Sequence, residues 1–274
     1  MITHRATLDV STELAQYVAW LLFAERCRRG TPSGARALTC FWQAVLGLRW
    51  FRDRLAPERL GRDHGVSRAT SYRYLDEVIA VLAVQAPDIH QALQHAQDQG
   101  MEYVLLDGSV LSSDRCSETT TSTQGYTIDA WYSGKAAQHG GNIQALSAPS
   151  GVPLWTSDVE PGSTHYLTCA REHALGALYA AASQGLPTLA DSGYQGSGIG
   201  VHTPIKQPAG AQRLDPDNRT YNALLRSLRG LGERGFALLT QRWRTLQHLT
   251  VSPRRIGDVV AAALTLTHYE HSMI

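Results

Sequence analysis

The chain has 274 residues, 43% of them apolar, and a formal net charge of +1. That length and apolar share fit one sizeable core with a small extra domain and exclude a disordered tail. Near-neutrality does not advertise a nucleic-acid partner, so the placement of the charges has to be read instead.

Of 25 basic residues only Lys135 and Lys206 are lysines; the rest are arginines, whose planar fork suits bidentate phosphate contacts. They gather between Arg49 and Arg73 and again between Arg213 and Arg255, with a more neutral stretch between. Cys27, Cys40, Cys116 and Cys169 form no CxxC pair, which argues against a four-thiolate zinc site or a disulfide framework. No charged leader precedes an apolar core, and the apolar run 17–24 is too short to span a bilayer. A cytoplasmic bacterial protein, nucleoid-associated when bound to DNA, is the expectation.

In chain order, residues 8–24 pattern as a helix, with Thr7 or Asp9 as its cap, and 34–50 as another. Residues 56–78 then spell two helices around a turn. Gly65 permits the reversal, Val66 plugs the angle between the helices and Ser67 caps the second one. Tyr72, Leu75, Val78 and Ile79 form its expected apolar side. Arg68, Thr70, Ser71 and Arg73 are left to meet DNA in a helix-turn-helix; an ordinary helix hairpin is the alternative. Pro87 and a Gln- and His-rich stretch lead into the next domain.

From residue 102 the period changes. Strands are predicted at 102–107, 141–148, 152–159, 187–190 and 200–205, with a helix over 164–182 and further helices near 218–229, 232–247 and 255–269. The fold class expected is α/β. A helical DNA-binding domain over 1–98 precedes a domain over 99–274 with a mixed five-stranded sheet, its ligands at the carboxyl ends of strands.

Asp107 ends the apolar run 103–106, and Asp191 ends a second one, 186–190. Glu233 stands in an arginine-rich helical segment. Carboxylates converging from different elements repel one another unless a proton or cation intervenes. Hard oxygen ligands suit Mg2+, with Mn2+ substituting, and two ions can activate water or a 3′-hydroxyl and stabilise the leaving oxygen. On this reading Asp107 bridges and Asp191 and Glu233 take one metal each. Arg229 or Arg234 would neutralise phosphate, and Lys135, His139 and His165 lie in segments able to approach phosphate or DNA. Strand-end or surface acids are the alternative, and Asp114, Asp129, Asp158 and Glu160 are rivals.

These pieces together resemble the DDE-type transposases of the IS5 superfamily, including the Harbinger-like DDE endonuclease group. The matching segments are Tyr-Val-Leu-Leu-Asp-Gly at 103–108, Tyr-Ser-Gly-Lys at 132–135 with His139-Gly140, Pro-Gly-Ser-Thr-His at 161–165, Ala-Asp-Ser-Gly-Tyr-Gln-Gly at 190–196 and Gly-Glu-Arg-Gly-Phe-Ala-Leu-Leu at 232–239. The resemblance covers about 102–270. It implies an RNase H-like catalytic domain with Asp107, Asp191 and Glu233 as metal-binding triad. It also implies cleavage of element ends and joining of the 3′-hydroxyls to target double-stranded DNA, without a covalent enzyme intermediate. A homodimer on DNA is expected, because two distant ends must be paired. The chain departs from the family at Tyr166, where aspartate is usual, and at Ser192 and Thr240, where lysine is common. A domesticated or inactive DNA-binding derivative is the alternative these departures leave open.

Overall fold

The computed structural model describes residues 8–122, 124–208, 210, 213–230 and 234–273. Five helices come first: α1 (Thr12–Arg28), α2 (Cys40–Asp53), α3 (Pro57–Asp63), α4 (Arg68–Ala83) and α5 (Ile89–Asp98). Then follow β1 (Val104–Ser112), β2 (Thr119–Thr121), β3 (Thr127–Asp129), β4 (Tyr132–Ser133), β5 (Gln138–Ser147), β6 (Pro153–Thr156) and β7 (Glu160–Pro161). Helices α6 (Tyr166–His173) and α7 (Leu175–Ser183) lead to β8 (Thr188–Ala190) and β9 (Val201–His202). The chain closes with α8 (Pro216–Arg229), α9 (Arg234–Arg242) and α10 (Ile256–Glu270).

The described residues divide into two compact units. One takes the chain up to Ala86, then Thr240–Gln247 and the residues from Asp258 onward; the other takes Pro87–Leu239 and His248–Gly257.

In the helical unit α1 buries Leu14, Val18, Leu21 and Leu22, the spacing of a single helix face. Its cap is Ser11, whose hydroxyl accepts from the Leu14 amide at 3.1 Å, in place of the expected Thr7 or Asp9. Asp9 instead takes Arg52 and Arg242, at 2.7 and 2.9 Å. The last turns of the chain supply core here: Trp243 is fully buried, donates to the Thr267 hydroxyl at 2.9 Å and meets Phe51 edge-on. Thr265 donates to the Leu82 carbonyl at 3.0 Å.

The predicted helix-turn-helix is present as α3 and α4. Gly65 has φ +66°, a conformation that costs glycine little, and Ser67 accepts from the Thr70 amide at 3.2 Å. Its packing face differs from the expected one by part of a turn. Ser71, Tyr74, Leu75 and Val78 are buried, at helical spacing, and Tyr72 is outward, its hydroxyl on Glu58 at 3.0 Å.

In the other unit the sheet runs β4-β5-β1-β8-β9, and β6 and β7 both pair with β5. The sheet is mixed as expected, but it has seven strands and not five, since β4 joins its edge unpredicted and the 152–159 segment supplies two: β5 is antiparallel to β1, while β8 is parallel to β1 and β9 to β8. The predicted strand 152–159 is two short ones. Ser157 leaves the ladder between them because its backbone amide and hydroxyl both bond to the Gln144 backbone, at 2.8 and 2.9 Å. Strand β1 outlasts its prediction. Beyond Leu106 it continues to Ser112 against β5, with Ser112 opposite Gly140. A separate hairpin, β2–β3, lies in the hydroxyl-rich segment after it. The helix predicted over 164–182 breaks at Ala174 into α6 and α7. Among the described residues no helix is long and apolar enough to cross a membrane.

Candidate active site

Strands β1 and β8 run parallel with Val104 opposite Thr188, Leu105 opposite Leu189 and Leu106 opposite Ala190. Both read as apolar runs because these stretches, Val104–Leu106 and Thr188–Ala190, are buried on both faces of the sheet, as parallel strands usually are. The next residue on each is an aspartate. Asp191 therefore leaves β8 at the level of Asp107, which is not the strand end expected: β5 holds β1 in the sheet as far as Ser112, with Asp107 opposite Ala145, and neighbouring strands lie about 4.8 Å apart. Asp107 is half-buried and its Oδ1 accepts from the Gly108 amide at 2.9 Å. Asp191 caps a short 3-10 turn, Ser192–Tyr194, with its Oδ1 on the Gly193 amide at 2.8 Å.

Two tyrosines register the charge of this pair. Burial pushes the Tyr166 phenol above its ordinary value, and the carboxylates of Asp107 and then Asp191 push it further. Tyr194 is fully buried and is raised by the same causes in the same order, much more strongly. Both carboxylates thus act on the same two rings.

Behind Gly108, on the sheet face that alternation sets opposite Asp107, lies a closed polar cluster. Tyr194 donates its hydroxyl to Gln144 Oε1 at 2.6 Å, Gln144 Nε2 donates to Asn142 Oδ1 at 2.9 Å, and Asn142 Nδ2 donates to the Thr164 carbonyl at 2.9 Å. Gln144 and Asn142 are inaccessible on β5. Sequence reasoning did not single out these three residues. The signal available was two amides at i and i+2, Asn142 and Gln144, on either side of Ile143.

The other predicted site residues are spread around this centre. Lys135 sits in the exposed turn between β4 and β5, its Nζ 4.2 Å from the centroid of the Tyr166 ring. His139 is on β5, paired with Tyr132 in the hairpin and 3.7 Å from the Asp129 carboxylate. Its Nδ1 is buried with no hydrogen-bond partner, and its ladder pairing sets it in a strand and not in the flexible glycine-rich segment expected. His165 caps α6 by accepting from the Leu167 amide at 3.2 Å through Nδ1. Arg229 ends α8 and Arg234 begins α9, exposed; Glu233 lies outside the described residues. Among the described residues no group of three or more His, Cys, Asp or Glu comes together as a metal site.

Two of the rival acids pair with histidines. Glu160 meets His173 at 2.8 Å, and Asp114 meets His248 at 2.8 Å. Cys169, beside Glu160, is raised to about 12 by burial first and that carboxylate second.

In the helix-turn-helix, Arg68 pairs with Glu58 at 3.0 Å and Arg73 donates to the Thr70 hydroxyl at 3.2 Å, all on the exposed side. Ser71 is turned inward. It is wholly inaccessible, its hydroxyl donates to the Arg68 carbonyl at 2.8 Å, and it packs on Gly61, so it does not share the surface of Arg68, Thr70 and Arg73.

Among solved structures the chain aligns with the Mos1 transposase paired-end complex with left transposon end, over 82% of this chain and 84% of that one. Identity is 11% and the TM-score 0.21, too distant a likeness to bear on the fold. No curated protein matches it. The family match spans residues 106–268, from within β1 into α10, and takes in both Asp107 and Asp191. The chain belongs to the DDE superfamily endonuclease family, a group of DDE-type transposases and nucleases that act on DNA and generally use divalent metal ions.

Proposed function

We propose that this protein is a DNA transposase that cleaves element ends and joins the freed 3′-hydroxyls to target DNA, with Asp107, Asp191 and Glu233 as its catalytic, metal-holding carboxylates. The observation that carries the reading is the parallel register of Leu106 with Ala190, which sets Asp107 and Asp191 side by side. Glu233 enters from its family-like segment, next to Arg234 at the start of α9.

The donor set fits a hard divalent cation. Two carboxylates on adjacent strands concentrate negative charge that one tyrosine pair already senses, and Mg2+ or Mn2+ prefers such oxygens. Asp107, Asp191 and Glu233 would hold it, with two ions in place when DNA is bound. The metal would supply charge neutralisation at the scissile phosphate and lower the pKa of the attacking water or 3′-hydroxyl.

The remaining steps belong to the chain's own residues. Asp107 and Asp191 fix the position of the reacting phosphate relative to β1 and β8. Lys135, His165, Arg229 and Arg234 offer cationic or hydrogen-bonding groups to the flanking phosphates, and His139 supports the hairpin that carries Lys135. The helical segment through residue 98 would bind the ends through Arg68, Thr70 and Arg73, leaving 99–274 to do the chemistry. A homodimer on DNA would hold two ends at once.

The test is cleavage of DNA flanking the gene, with Mg2+ or Mn2+, by wild type and by Asp107→Ala and Glu233→Ala. Metal-dependent nicking that both substitutions abolish supports the reading. Binding without cutting by any of the three would instead indicate a domesticated DNA-binding derivative.

A further inference from the structure

The chain Tyr194–Gln144–Asn142–Thr164 has only one consistent direction. The Thr164 carbonyl can only accept, so the Asn142 nitrogen must face it and the Asn142 oxygen must face Gln144. Gln144 then presents its nitrogen to Asn142 and its oxygen to Tyr194, which is left as the donor. The three side chains are 0 to 1% exposed, so no water competes for these bonds. Unmaking any one leaves a buried polar atom unsatisfied.

The endpoints are what give this chain a consequence. Tyr194 closes the 3-10 turn that Asp191 begins, its amide donating to the Asp191 carbonyl at 3.1 Å. Gln144 is the register partner of Gly108, the residue after Asp107. Thr164 precedes His165, the cap of α6, and Tyr166, whose ring faces Gly108. A Cβ on Gly108 would stand 2.6 Å from the Tyr194 hydroxyl, 2.8 Å from Gln144 Nε2 and 3.0 Å from Tyr166. The loop carrying Asp191 has no ladder partner past Ala190 in the pairing with β1, and Tyr194 ties that loop to Gln144 on β5, directly across from Gly108.

From this geometry we infer that Tyr194, Gln144 and Asn142 are positioning residues, a directional hydrogen-bond brace that fixes the spacing of Asp107 and Asp191 and so sets the affinity of the pair for a divalent cation. The inference rests on the metal-site reading above and extends it to residues outside the carboxylates. Groups that orient metal ligands without touching the ion typically change metal affinity by about 10- to 100-fold when removed.

The experiment is Mn2+ titration of the full-length protein, free Mn2+ being read by its paramagnetic resonance signal, with folding followed by circular dichroism. Tyr194→Phe and Gln144→Met each break the brace while keeping volume. Each is expected to stay folded and to bind Mn2+ about 10-fold more weakly. Because both cut one chain, the double variant should bind no more weakly than the worse single one.

Wild-type Mn2+ affinity in a folded Tyr194→Phe or Gln144→Met, with only thermal stability lowered, would overturn the inference. So would additive losses in the double variant. If both single variants fail to fold while Asp107→Ala folds, the chain is a folding element and the positioning role is lost. Asp107→Ala separates the two layers. If it binds Mn2+ like wild type, or wild type binds none, the metal-site reading falls and the brace with it. If it loses binding while the brace variants keep it, only the brace falls.

Discussion

The Lys135 ammonium lies 4.2 Å from the centroid of the Tyr166 ring, which itself sits against Gly108, next to Asp107. The lysine is thus held by the π-face of Tyr166. Such a contact at an exposed site is worth about 0.5–1 kcal/mol, enough to bias the lysine towards the ring without neutralising it. Lys135 thus keeps its charge for phosphate. Lys135→Ala is expected to weaken DNA binding and to reduce the slope of log affinity against log salt by about 0.9, with kcat unchanged. Tyr166→Phe, which keeps the ring, should leave the slope alone. An unaltered slope in Lys135→Ala would remove it from the DNA surface.

Gly108 has no room for a side chain. An added methyl would meet the Tyr194 hydroxyl and Gln144 Nε2 below 3 Å, and both belong to buried, mutually bonded groups with nowhere to retreat. Overpacking of this kind costs about 1–3 kcal/mol. Gly108→Ala should therefore lower stability by about that amount in chemical denaturation and reduce cleavage beyond what the lost stability explains. A variant as stable as wild type would mean that the strand shifts freely at this point.

Both aspartates were legible because a buried parallel stretch of strand announces itself as an apolar run, and the first polar residue after it marks where that parallel pairing stops. Leu106 and Ala190 satisfy that rule separately, although only Asp191 leaves the sheet there, Asp107 staying in β1 against β5. The polar brace was not legible, since Tyr194 and Gln144 are fifty positions apart and nothing local reports their contact. The inward turn of Ser71 was missed for a related reason. Its phase on α4 is set by Gly61 on the preceding helix, which leaves space that only a small residue fills. The extension of β1 to Ser112 depends on β5, a partner some thirty residues on, and the serines within it read locally as a loop.

The same helix-turn-helix gives a contrast within one helix. Arg68, Thr70 and Arg73 are on its outer side, and Ser71 is between them in sequence but faces inward. Arg73→Ala should weaken end binding and lower the salt slope by about 0.9, while changing stability by no more than about 0.5 kcal/mol. Ser71→Ala should do the reverse. It loses a buried hydrogen bond to the Arg68 carbonyl, costs about 0.5–1.5 kcal/mol and leaves the salt slope unchanged. Equal slopes in wild type and Arg73→Ala would take α4 out of the major groove.

His64 closes α3 and lines a cavity with Trp42, Arg49 and Asp63. Burial holds its imidazole below the ordinary value of 6.5, the Arg49 charge lowers it further, and only Asp63 opposes them. The unfolded chain therefore takes up this proton at a higher pH than the folded one. Where the unfolded state binds more protons, stability rises with pH. The contribution of His64 is thus fully present above about 6.5, and it is lost progressively as pH falls from there through the folded value. The helical unit should become less stable between pH 7 and pH 5, and His64→Gln should flatten that part of the curve. Denaturant midpoints measured across this range decide it. A slope that persists undiminished in His64→Gln would assign the proton uptake to another group.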